Sequence, residues 1–251
     1  GLNNGFRNFT IFLGGSGTID AGIGLASILG FKFYDKNNKL LDPLPINLNK
    51  INKIDKTHID PRLNECSFKL ACDVNNPLVG INGCIQIFGP QKGANNNELH
   101  YLEKGFKNII SIIEKMTNLP LYNVQKLGAA GGLGLFLYSF FNTSLESGSE
   151  FLLDRIDFDD KILNHDLIIS GEGHFDEQSL NGKLISTIIE KATQFKKKIW
   201  IITGICNCNS AQDYIDRIII LDENNISLKK KIQFAEKNYH HRVKEILKSL
   251  N

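Results

Sequence analysis

Three carboxylates fall within six positions at Glu172, Asp176 and Glu177, in the run Asp166-Leu-Ile-Ile-Ser-Gly-Glu-Gly-His-Phe-Asp-Glu-Gln-Ser-Leu-Asn-Gly-Lys183. Grouped acids suit a hard cation such as Mg2+, which uses one or two protein carboxylates and leaves positions for phosphate and water. Glu172 and Asp176 are the candidate ligands. Gly171 and Gly173 permit positive φ and close approach of the backbone to a ligand. Lys183 is a point charge suited to a phosphate. The same residues also fit a polar strand-to-helix loop without chemistry, because surface acids are common.

The flanking pattern supplies what would position them. Leu167 to Ile169 reads as a buried strand that breaks at the Gly-Glu-Gly turn, and a helix restarts near Asn181. In an open parallel sheet, ligands collect beyond the carboxyl ends of the strands, where this turn is expected. A second such junction lies near the start. Phe9 to Leu13 reads as a strand, Gly14-Gly15-Ser16-Gly17-Thr18 as a loop, and Ala21 to Leu29 as a helix capped by Asp20 or Thr18. Free N–H groups at such a loop make an anion site. The loop is neither a Walker loop nor a G-x-G-x-x-G fingerprint, and a structural tight turn explains it equally.

The chain of 251 residues accommodates one large domain or two smaller ones, given that domains cluster near ~100–150 residues. A 42% apolar and 22% charged composition is that of a globular protein. With 29 basic against 27 acidic residues, the net charge of +2 gives no footprint for nucleic acid. No apolar run reaches membrane-spanning length. Five cysteines (Cys66, Cys72, Cys84, Cys206, Cys208) form no Cys-x-x-Cys pair and read as buried thiols of a reducing cytosol. Cys206 and Cys208 are the pair for which a redox or metal role is conceivable. No secretory leader is visible, and the absence of an initiator Met at Gly1 is expected of a segment that begins inside a longer reading frame.

Between these junctions, Phe31 to Tyr34 reads as a strand with a hairpin turn at Asp35 to Lys39, and Leu41 to Asp60 as loop with short pieces. Ser67 to Val74 reads as a strand running into the Asn75-Asn76-Pro77 turn. Lys92 stands in a glycine cluster, Phe88 to Ala94, where it could meet phosphate or carboxylate. From Asn97 to Met116 the three-and-four apolar spacing predicts an amphipathic helix capped from Asn95 to Asn97. Leu127 to Gly134 is rich in small residues, fit for approach to a ligand or for tight packing. Glu150 to Ile156 reads as a helix with Ser149 as N-cap, and the pattern changes character near Asn164. Beyond it come strand 167–170, helix 184–194, strands 199–203 and 217–221, and a terminal helix from about Asn238. The last two strands are largely β-branched, as expected when both faces are covered. Three parallel strands make a thin sheet, so further strands are expected from elsewhere.

In order, these motifs resemble those of the type I glycerate kinase family. Gly14 to Gly22 looks like the family's G-G-S-A-T-N-D-G-G, Asp60-Pro-Arg-Leu63 like D-P-R-L, and Ala71 to Leu78 like A-C-D-V-x-N-P-L. Phe88 to Ala94, Gly128 to Gly134 and Ser170 to Ser179 complete the series. Gly17, Ile19 and Ala21 depart from the first motif, His174-Phe175 stands where the family commonly has Arg and an apolar residue, and Leu184-Ile185 replaces Thr-Pro. The family's opening D-S-F-K-G strand and its A-D-G-G-E-G-T segment do not occur.

The resemblance implies an α/β fold of two α/β domains. One is an inserted domain (1–164); the other is the C-terminal half of a split flavodoxin-like (Rossmann-like) doubly wound domain (165–251). It implies ATP-dependent phosphorylation of D-glycerate, with 2-phosphoglycerate as the favoured product, in the cytoplasm. Glu172 or Asp176 is expected to hold Mg2+, Asp73 or Asp176 to accept the hydroxyl proton, and Lys92 and Lys183 to meet anionic groups. Substrate or phosphate contacts are expected from Gly14, Gly15, Ser16, Thr18, Asp20, Asn76, Gly131, Gly132, Ser170, Gly171, Gly173, Gln178 and Ser179. The expected partner is a missing N-terminal segment or a second copy. Two other readings stand beside this one. The chain is inactive without that segment, or it is a dinucleotide-dependent oxidoreductase, against which the missing G-x-G-x-x-G fingerprint counts.

Overall fold

The computed structural model describes residues 1–177, 179–180, 184–208, 214–221 and 227–249, with side chains 228, 247 and 249 left out. It divides into two compact units, Gly1–Gly148 and Ser149–Asn251. Both carry parallel strands and helices, an α/β fold.

The first unit runs β1 (Asn8–Phe12), α1 (Ile23–Ile28), β2 (Lys32–Tyr34), β3 (Leu40–Leu41), β4 (Lys53–Asp55), β5 (Ser67–Ala71), α2 (Cys84–Phe88), α3 (Asn96–Thr117), α4 (Ala129–Gly132), α5 (Leu135–Phe140) and β6 (Asn142–Glu146). Strands β1, β5 and β6 form a parallel sheet in the order β1-β5-β6, with Phe12 opposite Ala71 and Ala71 opposite Glu146. Their carboxyl ends therefore share one edge. The loops after Phe12, Ala71 and Glu146 leave together. The hairpin expected at Asp35 to Lys39 joins β2 to β3, where Asp35 Oδ1 accepts from the amides of Asn37 and Lys39 at 2.8 Å each.

Helix α3 follows from its local sequence. Asn95 Oδ1 accepts from the amides of Asn97 (3.0 Å) and Glu98 (3.1 Å), while Glu98 Oε2 accepts from the Asn95 amide (2.8 Å), a reciprocal cap. Leu99, Phe106, Ile109, Ile110 and Ile113 are buried, whereas Met116 stays exposed in the last turn. The core around them includes an aromatic cluster, with Phe136 5.1 Å from Phe31 and 5.6 Å from Phe33 between ring centroids.

The small residues of 127–134 serve backbone packing. A Cβ on Gly131 would lie 2.3 Å from the Thr18 carbonyl oxygen, one on Gly128 2.3 Å from that of Pro77, and one on Gly22 2.6 Å from that of Leu133. The Gly131 carbonyl accepts from the Ala21 amide (3.1 Å), and the Asn76 carbonyl from the Gly128 amide (3.0 Å). Three loops are thus joined main chain to main chain. Gly131 also sits at φ 71°, which an L side chain rarely adopts.

The second unit contains α6 (Gly148–Arg155), α7 (Phe158–Leu163), β7 (Leu167–Asp176), α8 (Leu184–Gln194), β8 (Lys198–Asn207), β9 (Arg217–Ile220) and α9 (Leu228–Ser249). The units part upstream of the expected change at Asn164 because α6 and α7 pack into the second core. Leu153 and Phe158 join Ile185, Ile188 and Ile199, and Lys197 Nζ donates to the Leu163 carbonyl (2.9 Å). Ser149 lies inside α6 and not at its cap, and α9 starts earlier than Asn238. The sheet is parallel, in the order β7-β8-β9. Strand β7 does not break at Gly-Glu-Gly. It stays paired with β8 from Leu167 opposite Lys198 to Asp176 opposite Asn207.

The Asp60-Pro-Arg-Leu motif caps a short 3-10 helix at Pro61–Glu65. Asp60 Oδ1 accepts from the Arg62 amide (3.0 Å), and Arg62 Nη2 donates to Asp60 Oδ2 (2.6 Å). Arg62 holds the Asp60 carboxyl below its ordinary 3.8, at about 2. A depressed carboxyl contributes stability that is present above about 3.8 and is lost as pH falls through about 2. The denaturation midpoints of the protein and of Asp60→Asn therefore converge as pH falls from 5 to 2 (about those values, by the same linkage). A gap that does not change with pH would rule the ion pair out as its source. For the loop junction, Gly131→Ala is expected to lose at least about 2 kcal/mol in urea denaturation, from left-handed strain plus the clash. Gly14→Ala, with no atom within 4 Å of its Cβ, changes stability by less than about 0.5 kcal/mol.

Candidate functional site

In the first unit, the open edge of the parallel sheet gathers two of the expected groups. Leaving β1, the Leu13 amide donates to the Ala71 carbonyl (2.8 Å), and the chain turns into Gly14 to Thr18. Gly14, Gly15 and Gly17 are exposed, with open space where a Cβ would stand. Gly15 takes φ 63°, so the turn requires glycine there. This loop presents main chain outward while the Gly131 contact holds it from behind. Asp20 is buried and capped inward. Its Oδ1 accepts from the Gly22 amide (2.9 Å) and Oδ2 from the Gly24 amide (3.2 Å) at the start of α1. Both of its oxygens are thus engaged by amides near the start of the helix. Gly131 and Gly132 are likewise buried against Thr18 to Ala21, so they support the loop instead of contacting phosphate.

Lys92 reaches this loop from a different segment. Its Nζ donates to Ser16 Oγ (2.8 Å) and to the Thr18 carbonyl (2.9 Å), both neutral acceptors. Desolvation lowers its pKa, opposed by Cys84 and Asp20. A partly desolvated ammonium held only by neutral oxygens favours an arriving anion. Lys92 also lines a cavity of about 760 Å3 that includes Gly17 to Ile19, Ile46 and Tyr101.

Asp73 follows the end of β5. Ser147 Oγ, at the end of β6, donates to Asp73 Oδ1 (3.2 Å), and a Cβ on Gly148 would stand 3.3 Å from Oδ2. A glycine there keeps the carboxylate approachable. Asn76 turns away to its own loop, its Nδ2 donating to the Asn82 carbonyl (2.8 Å). Ser147 was not expected. Asn142 to Glu146 lacks an alternating apolar pattern, so nothing in the sequence pointed to a third parallel strand carrying it to Asp73.

In the second unit the expected cluster is drawn out. Because β7 runs through Asp176, Glu172 and Asp176 stand four residues apart on an extended chain, about 13 Å at ~3.3 Å per residue. One cation cannot take both as direct ligands, and among the described residues no group of three His, Cys, Asp or Glu side chains gathers at metal-binding range. Ser170 and Gly171 are paired with β8 and Gly173 lies within the same strand, not in a turn, and Gly171 allows close approach, a Cβ there falling 2.3 Å from the Ile202 carbonyl oxygen. Asp176 closes the strand with Ser179. Its Oδ1 accepts from the Ser179 amide (3.1 Å), and Ser179 is buried, so Ser179 is a turn residue. Glu172 differs in that its Oε1 is buried and has no hydrogen-bond partner among the described residues. His174 Nε2 accepts from Asn207 Nδ2 (3.1 Å). Gln178 and Lys183 lie outside the described residues. None of the five cysteines is in a disulfide, Cys206 and Cys208 included.

A sequence profile described as the Glycerate kinase family matches residues 1–251. The chain is 37% identical over 203 residues to Glycerate 2-kinase of Escherichia coli (strain K12), covering 81% of this chain and 53% of that one. It is 34% identical over 248 residues to Glycerate kinase of Bacillus cereus (strain ATCC 10987 / NRS 248), covering 98% and 65%. A crystal structure from Salmonella typhimurium LT2, provisionally named glycerate kinase 2, matches with a TM-score of 0.78 at 28% identity, covering 99% of this chain and 66% of that one. The chain thus spans between about half and two thirds of the length of these relatives. An open glycine loop, a lysine bonded to it and an aspartate on the same sheet edge agree with a profile that covers every residue: the chain belongs to the glycerate kinase family.

Proposed function

We propose that this chain carries the phosphoryl-transfer residues of a glycerate kinase that uses ATP and D-glycerate. The observation that carries the reading is Lys92 bonded to the open Gly14-to-Thr18 loop, on the sheet edge where Asp73 follows the carboxyl end of β5. Phosphoryl transfer is mainly positioning and charge neutralisation. A hydroxyl oxygen of the acid forms a bond to the γ-phosphorus as the bond to the β,γ-bridging oxygen breaks, and ADP leaves. The hydroxyl proton passes to Asp73, which Ser147 Oγ helps to orient. Lys92 and the loop amides of Gly14 to Thr18 neutralise phosphate oxygens. The name of the Escherichia coli relative favours 2-phosphoglycerate as product.

Kinases of this kind use Mg2+ to neutralise phosphate charge. Glu172 is the residue that fits such an ion, since its buried Oε1 lacks a partner among the described residues, whereas Asp176 is engaged with Ser179. Lys183 and Gln178 remain proposed phosphate contacts. Five cysteines outside any disulfide suit the reducing cytoplasm, and among the described residues no helix is long and apolar enough to cross a membrane. The oxidoreductase reading gains no support from any of these observations.

A second reading has its own observation. Among the described residues β7 pairs with β8 alone, and Ile169 on β7 is 57% exposed. On α9, Ile232 is 68% exposed, with Phe234 and Tyr239 also open. Exposed apolar side chains and an unpaired strand edge call for cover. We therefore propose that the second unit is the closing part of a split flavodoxin-like domain. The family's D-S-F-K-G segment would complete it, and the chain would be inactive without that segment.

Two measurements test these proposals. In an assay coupling ADP release to D-glycerate, the 251-residue chain alone is expected to be silent and to gain activity when the opening segment of a relative is added. Full activity from the chain alone would end the split-domain reading, and no activity under either condition would end the kinase reading. In the active combination, Asp73→Asn is expected to lower kcat by at least about 100-fold, the usual loss of a general base. Turnover within about twofold of the parent would remove Asp73 from that role.

A further inference from the structure

The cavity beside Lys92 is far larger than a three-carbon acid needs. At about 760 Å3 it falls in the range of roughly 300–1,000 Å3 typical of pockets for drug-sized ligands. Its apolar walls include Ile19, Ile46, Leu102 and the ring of Tyr101. Those walls are held in place: Tyr101 Oη donates to the Ile46 carbonyl (2.7 Å), and Asn108 Nδ2 donates to the carbonyls of Leu48 (3.0 Å) and Ile51 (2.7 Å). The segment bearing Ile46 is thereby fixed on α3 before any ligand arrives.

Charge is unevenly placed around the cavity. Lys92 has three donor protons, of which two meet Ser16 Oγ and the Thr18 carbonyl, so one remains. Lys50 adds a second cation. The start of α3, by contrast, is already satisfied by its own cap, and Glu98 brings a negative charge to the wall. An anion therefore belongs at Lys92 and not at the helix end. The ligand that fits is anionic at one end and flat and apolar over the rest, with a donor group for Glu98.

We infer that this cavity seats the nucleoside of the phosphoryl donor, with the base between Ile46 and Tyr101 and its phosphates running to Lys92 and the Gly14-to-Thr18 loop. The exocyclic amine of adenine is a hydrogen-bond donor and suits Glu98. The assignment rests on the kinase reading for the identity of the ligand. The cavity itself is complete within residues 17–102.

The test is a titration of the 251-residue chain with a fluorescent N-methylanthraniloyl-ATP, displaced by ATP, ADP or inorganic tripolyphosphate. Ile46→Asn changes a residue that is 62% exposed, so folding tolerates it, and circular dichroism checks that it does. ATP and ADP affinity is expected to fall about tenfold in Ile46→Asn and in Tyr101→Ala. Tyr101→Phe, which keeps the ring, is expected to stay within about threefold, and tripolyphosphate within about twofold in every variant. Unchanged ATP affinity in Ile46→Asn and Tyr101→Ala would overturn the seat, as would failure of the parent chain to bind nucleotide. Phosphoryl transfer measured in parallel separates the two claims. Transfer with an unchanged KM for ATP in the variants removes the seat and keeps the kinase. Variant-sensitive nucleotide binding with no transfer to D-glycerate, even with the opening segment added, keeps the seat and removes the kinase.

Discussion

Much of the first unit depends on the close contact of three main chains. Gly128, Gly131 and Gly22 bring the loops at 18–22, 76–77 and 128–133 so near that a single methyl group would collide with a carbonyl oxygen. A side-chain contact could place the Gly14-to-Thr18 loop only as well as its own rotamers allow. A main-chain contact has no such freedom. Ala21 and Ala130 stand at φ 54° and 52°, positions alanine rarely takes, and the surrounding packing holds them there. The loop is therefore fixed from behind and open in front, the condition for a preorganised anion site.

The charged groups near this loop divide into those spent on folding and those left for a ligand. Asp20 has both oxygens committed to amides at the head of α1. Asp60 is likewise committed, to Arg62 and the short helix it caps. Lys92 is not. Burial costs Lys92 solvation, and its two neutral acceptors return only part of that cost. Asp73 accepts from the Ser147 hydroxyl and stands beside Gly148.

The second unit obeys a different constraint. A parallel sheet is stable when both faces and both edges are covered. Here β7 has one neighbour among the described residues, Ile169 stands open beside it, and the early turns of α9 carry Ile232 and Phe234 outward. The chain spans between about half and two thirds of the length of these relatives. Glu172 belongs to the same picture, since a buried carboxylate oxygen without a partner among the described residues is stable only if something else supplies one.

What was legible in the sequence was local. Helix α3 was read from its apolar spacing and its Asn95 cap, because a reciprocal cap and a 3.6-residue period both lie within a few positions. The Asp35 hairpin and the strand-loop-helix at Gly14 were legible for the same reason, as were six motifs in the order of a known family. What only the tertiary structure decided was long-range. β6 carries no pattern that marks it, and its place beside β5 is set by pairing across 75 positions, Ser67 opposite Asn142. Likewise β7 continues past its glycines because β8 pairs with it on both sides of Gly173, from Leu167 to Asp176, which spreads Glu172 and Asp176 apart. The roles of Gly131 and of Asp20 were settled by which carbonyl or amide lay opposite. The cavity wall needed Tyr101 to meet the Ile46 carbonyl across 55 positions of chain. Sequence supplies the chemical groups and their short-range geometry; which of them face a ligand depends on contacts between distant segments, and no local pattern encodes those.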